Sequence, residues 1–542
     1  MCKRLSLSWV SVHISCSQAR TNYRLCKEER QLLDRLSNIN GVQYNPGNIC
    51  TPGTRLGILR DVETWASDFS PPLVASLRGK AGIGKSTVAH TVAVNFSNMR
   101  CLAASYFFSR DVAMSRPLKN LLPEISRQLA FRIPSFRHAL CAALGLDDFP
   151  VFLQQQLSKL FIEPFRISLR LDNTITRPWI IVLDALDECE DDIRNCILLL
   201  TEAISEFQGK LKLIITSRPE AAIDAVQRLR QTHVLNIDLA SVENESDLRI
   251  YFELRLGPLR TQRGWPTVDP IQKLVMLAGG LFVWAAIVIE FLLESDALSE
   301  EIELILNGTR WEDNPEKRLA QMYYIILEKA YLSGKREVHF RLFLPVLATV
   351  MVVSEPQCDI VIGHLAADGV RYEHLRRILE GLSAALHIPP DSPVVRATHP
   401  SFYRYLTGDC KDDRFAVHSA THSRRLGQRC LTIILQKVHR DMCGIMGHAG
   451  VPQTHIGDLR DRVLEYISQE VQYACKNWIL HITAHPDISI DSQTMQLLNE
   501  FFQLRLLPWI EVMAFLDSID AARESLSSLN LWLKVSPTTN NT

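Results

Sequence analysis

The chain has 542 residues, 47% of them hydrophobic and 22% charged; one hydrophobic core cannot organise that length, so about three or four units are expected. No Pro, Gly or Gln bias marks it as disordered, and 59 Lys plus Arg against 60 Asp plus Glu leaves no global field to draw it to nucleic acid or an anionic membrane. The 13 cysteines form no CxxC pair and no Cys/His cluster at zinc spacing, which points to reduced thiols in a cytoplasmic protein.

Residues 1–19 carry a basic pair and then a short apolar run broken by Ser and His; a disordered start is favoured over a signal peptide. Residues 21–40 are charged and weakly helical, and the turn-rich stretch after them makes residues 1–49 an N-terminal extension and linker. From there to Asp238, short β-branched runs alternate with helical patterns: Leu73 to Arg78, Ala103 to Phe108, Trp179 to Asp184, Leu211 to Thr216 and His233 to Ile237. Strands separated by helices predict an α/β fold with a parallel sheet. Leu274 to Ile289 is uncharged but shorter than the ~18 residues of a bilayer span, and reads as a buried helix. Beyond Asp238 the apolar spacing is helical, as in the stripe Val463, Tyr466, Ile467, Val471, Ala474, Cys475, Trp478 and Ile479. No repeat of fixed period follows.

The segment Gly79, Lys80, Ala81, Gly82, Ile83, Gly84, Lys85, Ser86, Thr87 lies between a short apolar strand and an amphipathic helix. Glycines let the backbone wrap so that its N–H groups face phosphates, and the helix adds the positive end of its dipole. Lys85 is placed to neutralise the β- and γ-phosphates of a nucleotide, and the Ser86 hydroxyl to ligate Mg2+. The bland alternative is a glycine turn with an incidental lysine.

Such a site needs carboxylates at the end of a buried strand. Trp179 to Asp184, followed by Asp187 and Glu188, supplies them: Asp184 is the expected magnesium partner, Glu188 the expected base for polarising water, and Asp187 its acidic neighbour. Against this stands an acidic helix start, since carboxylates favour first turns. A further buried run ends in Thr216, Ser217 and Arg218, and Arg218 is a candidate γ-phosphate sensor or, alternatively, a surface arginine. His418 and His422 have the i, i+4 spacing of metal ligands, but without a third ligand they read as a solvated face.

The combination GKAGIGKST, IIVLDALDEC and LKLIITSRPE resembles the NACHT family of signal-transduction P-loop NTPases (the STAND class), especially a large fungal group related to the nephrocystin-3-like N-terminal domain. Asp184, then a small residue, then paired Asp187 and Glu188 is the telling part. The resemblance extends to CTPGTRLGILRDVETW, ASYFFSR and EISRQLA, and loosely to AGGLFVWAAIVIEFL, which is similar to the helical segment that closes over the nucleotide. Related plant and animal domains carry a base-contacting proline near Phe282; this chain has none. VVRATHPSFYRYL resembles the winged-helix motif whose histidine reaches a diphosphate, which would assign that role to His399; a histidine satisfied within its own helix start is the equal alternative.

The resemblance implies a five-stranded parallel sheet in a three-layer αβα arrangement over residues 50–239, with the P-loop strand beside the sensor strand. It also implies a helical domain over 240–305, a winged-helix-like domain over 306–415 and a C-terminal helical domain over 416–542. It implies slow hydrolysis of ATP, or of GTP, with Mg2+; a closed diphosphate state; and a self-associating triphosphate state in signalling, innate-immunity-like or incompatibility responses. Family members commonly add an effector domain and sensor repeats, so protein partners are expected to supply them. Three alternatives stand beside this reading: a metabolic P-loop kinase, for which no acceptor motif is visible; a nucleotide-binding scaffold without significant hydrolysis; and DNA binding through the winged helix, which His399 and Arg404 do not support as a basic recognition helix.

Overall fold

The computed structural model describes residues 27–535 except 37–38, 40, 110–116, 147–148, 151, 172–174, 190, 192, 219–233, 241–243, 262–264, 267–268, 335, 389–393, 446–456 and 486–489. The chain's first 26 residues, and His233, fall outside this set. Strands β1 (Val74–Arg78), β2 (Leu102–Phe107), β3 (Trp179–Asp184), β4 (Leu211–Ser217) and β5 (Val234–Asp238) form a sheet ordered β2-β3-β4-β1-β5 in which every pairing is parallel. The four strands up to β4 are buried almost throughout, and this is why they read as continuous apolar runs: a parallel strand covered by helices on both faces has no solvent side. One lysine interrupts them. Lys212 in β4 is fully buried, with Nζ donating to the Trp65 carbonyl at 2.6 Å and lying 4.9 Å from the Trp65 ring.

Helices cover both faces. On one side α1 (Leu56–Trp65) and α2 (Lys85–Asn98) bury Ile58, Val62, Val88, Val92 and Phe96 against Leu77, Val182 and Ile214. On the other, α3 (Leu121–Arg132) and α4 (Ile193–Ser205), with the helices between them, cover Ala104, Ile181, Leu183 and Leu213. β4 lies between β1 and β3, in register from Val74 opposite Leu213 to Arg78 opposite Ser217. The carboxyl ends of β1, β4 and β3 are therefore neighbours, the position where ligands meet open α/β sheets.

Of the stretch read as an extension and linker, the described residues from Lys27 on pack into this domain. Leu33, Leu36, Ile39 and Val42 are buried in the same core as α3. The Val42 carbonyl accepts from Phe107 N–H at 2.8 Å, Asn45 N–H donates to His90 Nδ1 at 3.0 Å, and Cys50 N–H donates to Thr91 Oγ1 at 2.8 Å. The three-residue apolar steps were the signal, and the high charge of the surrounding residues obscured it.

After the sheet, the residues Leu274 to Ile289 make two helices rather than one. α5 (Asn244–Leu256) is followed by α6 (Ile271–Ala278) and α7 (Phe282–Leu293). The break falls at Gly279 and Gly280, whose φ values are +53° and +85°; a Cβ on Gly279 would also come within 2.8 Å of Pro315 Cγ. Two left-handed residues in succession end a right-handed helix. α8 (Pro315–Leu332), α9 (Glu337–Val352) and two further helices then surround an antiparallel sheet of β6 (Gln357–Cys358), β7 (Leu386–His387) and β8 (Val394–Ala397), ordered β6-β8-β7. This is the winged helix, and α10 (Pro400–Arg404) leaves it. One continuous core runs from Leu248 to Val417, so the helical and winged-helix segments pack as one body.

A separate helical core follows, from Leu426 to Trp532 with contributions from Val361 and Leu365. Its expected stripe is carried by two helices, α11 (Leu459–Tyr466) and α12 (Gln469–Thr483), with Tyr466 52% exposed and the other stripe residues buried. Tyr466 is the last residue of α11, and the chain turns at Ile467 and Ser468 before α12 begins. Among the described residues no helix is long and apolar enough to cross a membrane.

His90 stacks on Phe107 with ring centroids 4.0 Å apart, and burial pushes its pKa down from 6.5 to about 4. Above pH 6.5 the ring is neutral whether the chain is folded or not. As pH falls from there towards 4 the unfolded chain takes up a proton that the folded chain refuses, so stability is lost across that window. Thermal unfolding followed between pH 7.5 and 4.5 is expected to show this loss, and His90→Gln should reduce its slope by about one proton; an unchanged slope would contradict the assignment.

Candidate functional site

β1 ends at Arg78 and α2 begins at Lys85, so the six residues between them, 79–84, must reverse from strand to helix. Gly82 and Gly84 do so at φ +80° and +97°, and a Cβ on Gly82 would lie 2.3 Å from Val283 Cγ1. Conformation and space both demand glycine there. Four of the loop's carbonyls are held by donors: Gly79 and Lys80 by Lys85 Nζ (2.7 and 2.9 Å), Gly82 by Val283 N–H (3.0 Å), and Ile83 by Arg55 Nη2 (2.7 Å). In a trans peptide the C=O and the next N–H point opposite ways, so pinning these oxygens turns the amides of Lys80, Ala81, Ile83 and Gly84 away from those donors. α2 has no side-chain cap, leaving its first turn available to an anion.

The acidic side comes from β3. Asp184 is 2% exposed, and its Oδ1 accepts from the Thr216 hydroxyl at 2.5 Å, which in turn accepts from Ala185 N–H at 2.9 Å. Burial raises the Asp184 pKa, opposed by hydrogen bonds from Thr216 and Ser86 and by the charge of Lys85. Ser86 and Asp184, far apart in sequence, are thus side by side. Ala185 takes a left-handed conformation (φ 57°) that turns the chain into the short helix Leu186–Glu188. Asp187 and Glu188 are half-buried on that turn, and Asp187 Oδ2 pairs with Arg218 Nε at 2.8 Å. Ser86 and Asp184 offer a hydroxyl and a carboxylate, the hard oxygens that Mg2+ takes alongside phosphate and water. Among the described residues no cluster of three His, Cys, Asp or Glu is present, and a magnesium shared with phosphates requires none.

His399 comes from the winged helix. It caps α10, accepting the Ser401 N–H on Nδ1 at 3.1 Å, and its Cε1 lies 3.9 Å from where a Gly82 Cβ would be. Burial, then the charges of Arg404, Lys85 and Arg218, push its pKa down to about 3. Lys85 itself is lowered by burial, with Asp187 and Asp184 opposing and Arg218 and Arg404 reinforcing. Lys85, Asp184, Asp187, Arg218, Arg404 and His399 therefore lie close enough to act on one another's charge.

Two contributors escaped the sequence reading. Arg404 adds its charge from α10, one turn after His399, a proximity visible only once the winged helix sits on the P-loop. Arg55, 2% exposed at φ 59°, joins four segments. Besides Ile83 O it donates to Leu239 O at 3.0 Å and to the Asn244 side chain, pairs with Asp247, and lies over the Phe282 ring at 4.8 Å. Its place in a Pro-Gly turn hid it among ordinary loop residues. A separate cavity of about 830 Å³ between α1 and β5, lined by Asp61, Trp65, Asp68 and Ile237 among others, contains no P-loop residue and is not the phosphate site.

Sheet order, phosphate loop and acidic strand end together define a P-loop NTPase fold. Residues 53–218 match the family model for the N-terminal part of nephrocystin 3, which spans the P-loop, β3 and Arg218. No curated protein matches the chain. Among solved structures, the chain is similar to Cdc6p from Pyrobaculum aerophilum (14% identity, 71% of this chain and 99% of that one, TM-score 0.32). It is also similar to the Orc1 protein of Aeropyrum pernix, solved in complex with DNA (13% identity, 71% and 98%, TM-score 0.30).

Arg55→Ala leaves the Ile83 and Leu239 carbonyls without this donor and Asp247 without its buried counter-charge. A loss of about 3 kcal/mol or more in stability to urea is expected, with Arg55→Lys recovering only part of it because an ammonium cannot span the same partners. Wild-type stability in Arg55→Ala would refute the bridging role.

Proposed function

We propose that this chain is a nucleotide-dependent switch of the NACHT type, which binds ATP with Mg2+, or GTP, and hydrolyses it slowly to control its conformation and self-association. The observation that carries this reading is that elements far downstream of the P-loop close upon it: Val283 N–H holds the Gly82 carbonyl at 3.0 Å and His399 stands beside the same glycine. A ligand that alters the phosphate side of Gly82 acts directly on the helical and winged-helix segments. Such a coupling is what a switch needs, because a ligand shifts a conformational equilibrium only through contacts that differ between the states.

In this reading residues 50–239 form the NTPase domain, 240–305 and 306–415 the helical and winged-helix parts, and 416–542 a helical stalk. The amides of Gly79 to Thr87 and Lys85 Nζ bind the phosphates, with Lys85 exchanging its present carbonyl partners for phosphate oxygens. Ser86 and Asp184 hold magnesium, which when bound shields the charge between the β- and γ-phosphates. Glu188 takes a proton from the attacking water, Asp187 holds Arg218, and Arg218 senses the γ-phosphate. His399 contacts the diphosphate in the resting state. Partners are the nucleotide, other copies of the chain and proteins that supply effector or sensor modules, in signalling or incompatibility-type responses.

Two variants test this. Lys85→Ala is expected to weaken binding of the magnesium-triphosphate about 10- to 100-fold, the value of charge-assisted hydrogen bonds. Glu188→Gln should retain binding while turnover falls about 100-fold and the larger assembly persists on ATP in light scattering. An identical hydrodynamic size with di- and triphosphate would refute the switch, and wild-type turnover in Glu188→Gln would remove Glu188 as the base.

A further inference from the structure

We propose that Ser401 and Tyr323 are positioning residues that fix His399 as the neutral tautomer with its proton on Nε2, so that His399 meets a nucleoside diphosphate as a hydrogen-bond donor and not as a cation. The proposal rests on the reading of His399 as the diphosphate contact.

The direction of each hydrogen bond follows from one group whose role is fixed. The Ser401 backbone N–H lies 3.1 Å from His399 Nδ1, and an amide N–H can only donate. Nδ1 therefore presents its lone pair, and the single proton of a neutral imidazole sits on Nε2. Ser401 Oγ is 2.7 Å from the same Nδ1, so the hydroxyl must also donate to it. The oxygen of that hydroxyl is then the acceptor for Tyr323, whose phenol is 2.8 Å away. The relay runs one way, from Tyr323 to Ser401 to His399.

Its far end is held firmly. Tyr323 is 1% exposed on α8, with its ring 4.9 Å from Phe402 and 5.7 Å from Tyr405 between centroids. Burial raises its pKa, so the phenol keeps its proton and remains a donor. At the near end the His399 ring is kept uncharged by burial and by Arg404, Lys85 and Arg218. Nε2 makes no hydrogen bond among the described residues, and the ring edge that carries it borders Gly82 of the phosphate loop. A neutral N–H there adds a hydrogen bond for a phosphate oxygen without setting a further positive charge beside Arg404, Lys85 and Arg218. The relay also ties the histidine to α8, so a displacement of that helix would release the tautomer lock.

The test measures release of N-methylanthraniloyl-ADP, with magnesium, from the full chain after a chase with excess ATP. Ser401→Ala is expected to speed release about fivefold and Tyr323→Phe about two- to threefold, on the scale of single hydrogen bonds, while Ser401→Thr keeps the wild-type rate because it keeps the hydroxyl. Ser401→Ala should add nothing in a His399→Ala background. Nitrogen NMR on chain labelled in histidine, with His399 assigned by its loss in His399→Ala, should show Nδ1 as the lone-pair nitrogen and Nε2 as the N–H. A protonated Nδ1, or an equal effect of Ser401→Ala with and without His399, overturns the proposal. Faster release in His399→Ala but not in Ser401→Ala sinks the positioning role alone; unchanged release in His399→Ala removes the diphosphate contact and this proposal with it.

Discussion

A guanidinium cannot be left unpaired inside a protein without a cost of several kcal/mol, and the burial of Arg55 therefore dictates what surrounds it. Its donors are met by Ile83 of the phosphate loop, Leu239 just after β5 and Asn244 of α5, its charge is paired with Asp247 at 3.8 Å, and the Phe282 ring of α7 lies over its face. These partners come from four separate segments, and each has to arrive at the same place for the charge to be tolerated. The phosphate loop is thereby fixed to the start of the helical half, before any ligand is considered.

The consequences run in two directions. Towards the ligand, the Ile83 carbonyl engaged by Arg55 and the Gly82 carbonyl engaged by Val283 N–H set the orientation of the peptides between them. Loop shape is thus decided partly by residues outside the loop. Towards the rest of the chain, α7 belongs to the core that extends to Val417, so Phe282 and Val283 are packed in one body with the winged helix.

The electrostatics follow the same economy. Lys85, Arg218 and Arg404 bring positive charge to the phosphate loop, and Asp184, Asp187 and Glu188 bring acids to the same neighbourhood: Asp187 is paired with Arg218, while Asp184 is buried and held by hydroxyls. His399 stays neutral among these charges.

Much of this was legible in the residues. Parallel strands buried on both faces leave apolar runs, so β1 to β4 announced themselves, and glycine spacing followed by Lys85 and Ser86 marked the loop because only that backbone admits the turn. The order of Asp184, Asp187, Glu188 and Arg218 along the chain followed from where strands end. Three readings went differently for tertiary reasons. The described part of the linker became part of a core because Leu33, Leu36 and Val42 had a sheet domain to pack against; the apolar stretch split where Gly279 and Gly280 take left-handed conformations, with Pro315 leaving no room for a side chain on Gly279; and the stripe around Tyr466 broke at a turn with no strong sequence mark. What the sequence determined by itself was local: which segments are strands and which loop can cradle phosphates, since these depend on neighbouring residues. Only the tertiary structure decided which distant groups meet, Arg55 with Ile83, Val283 with Gly82, Tyr323 with Ser401 and His399 with the P-loop, because such pairings depend on how buried charges and amides are satisfied once the whole chain is packed.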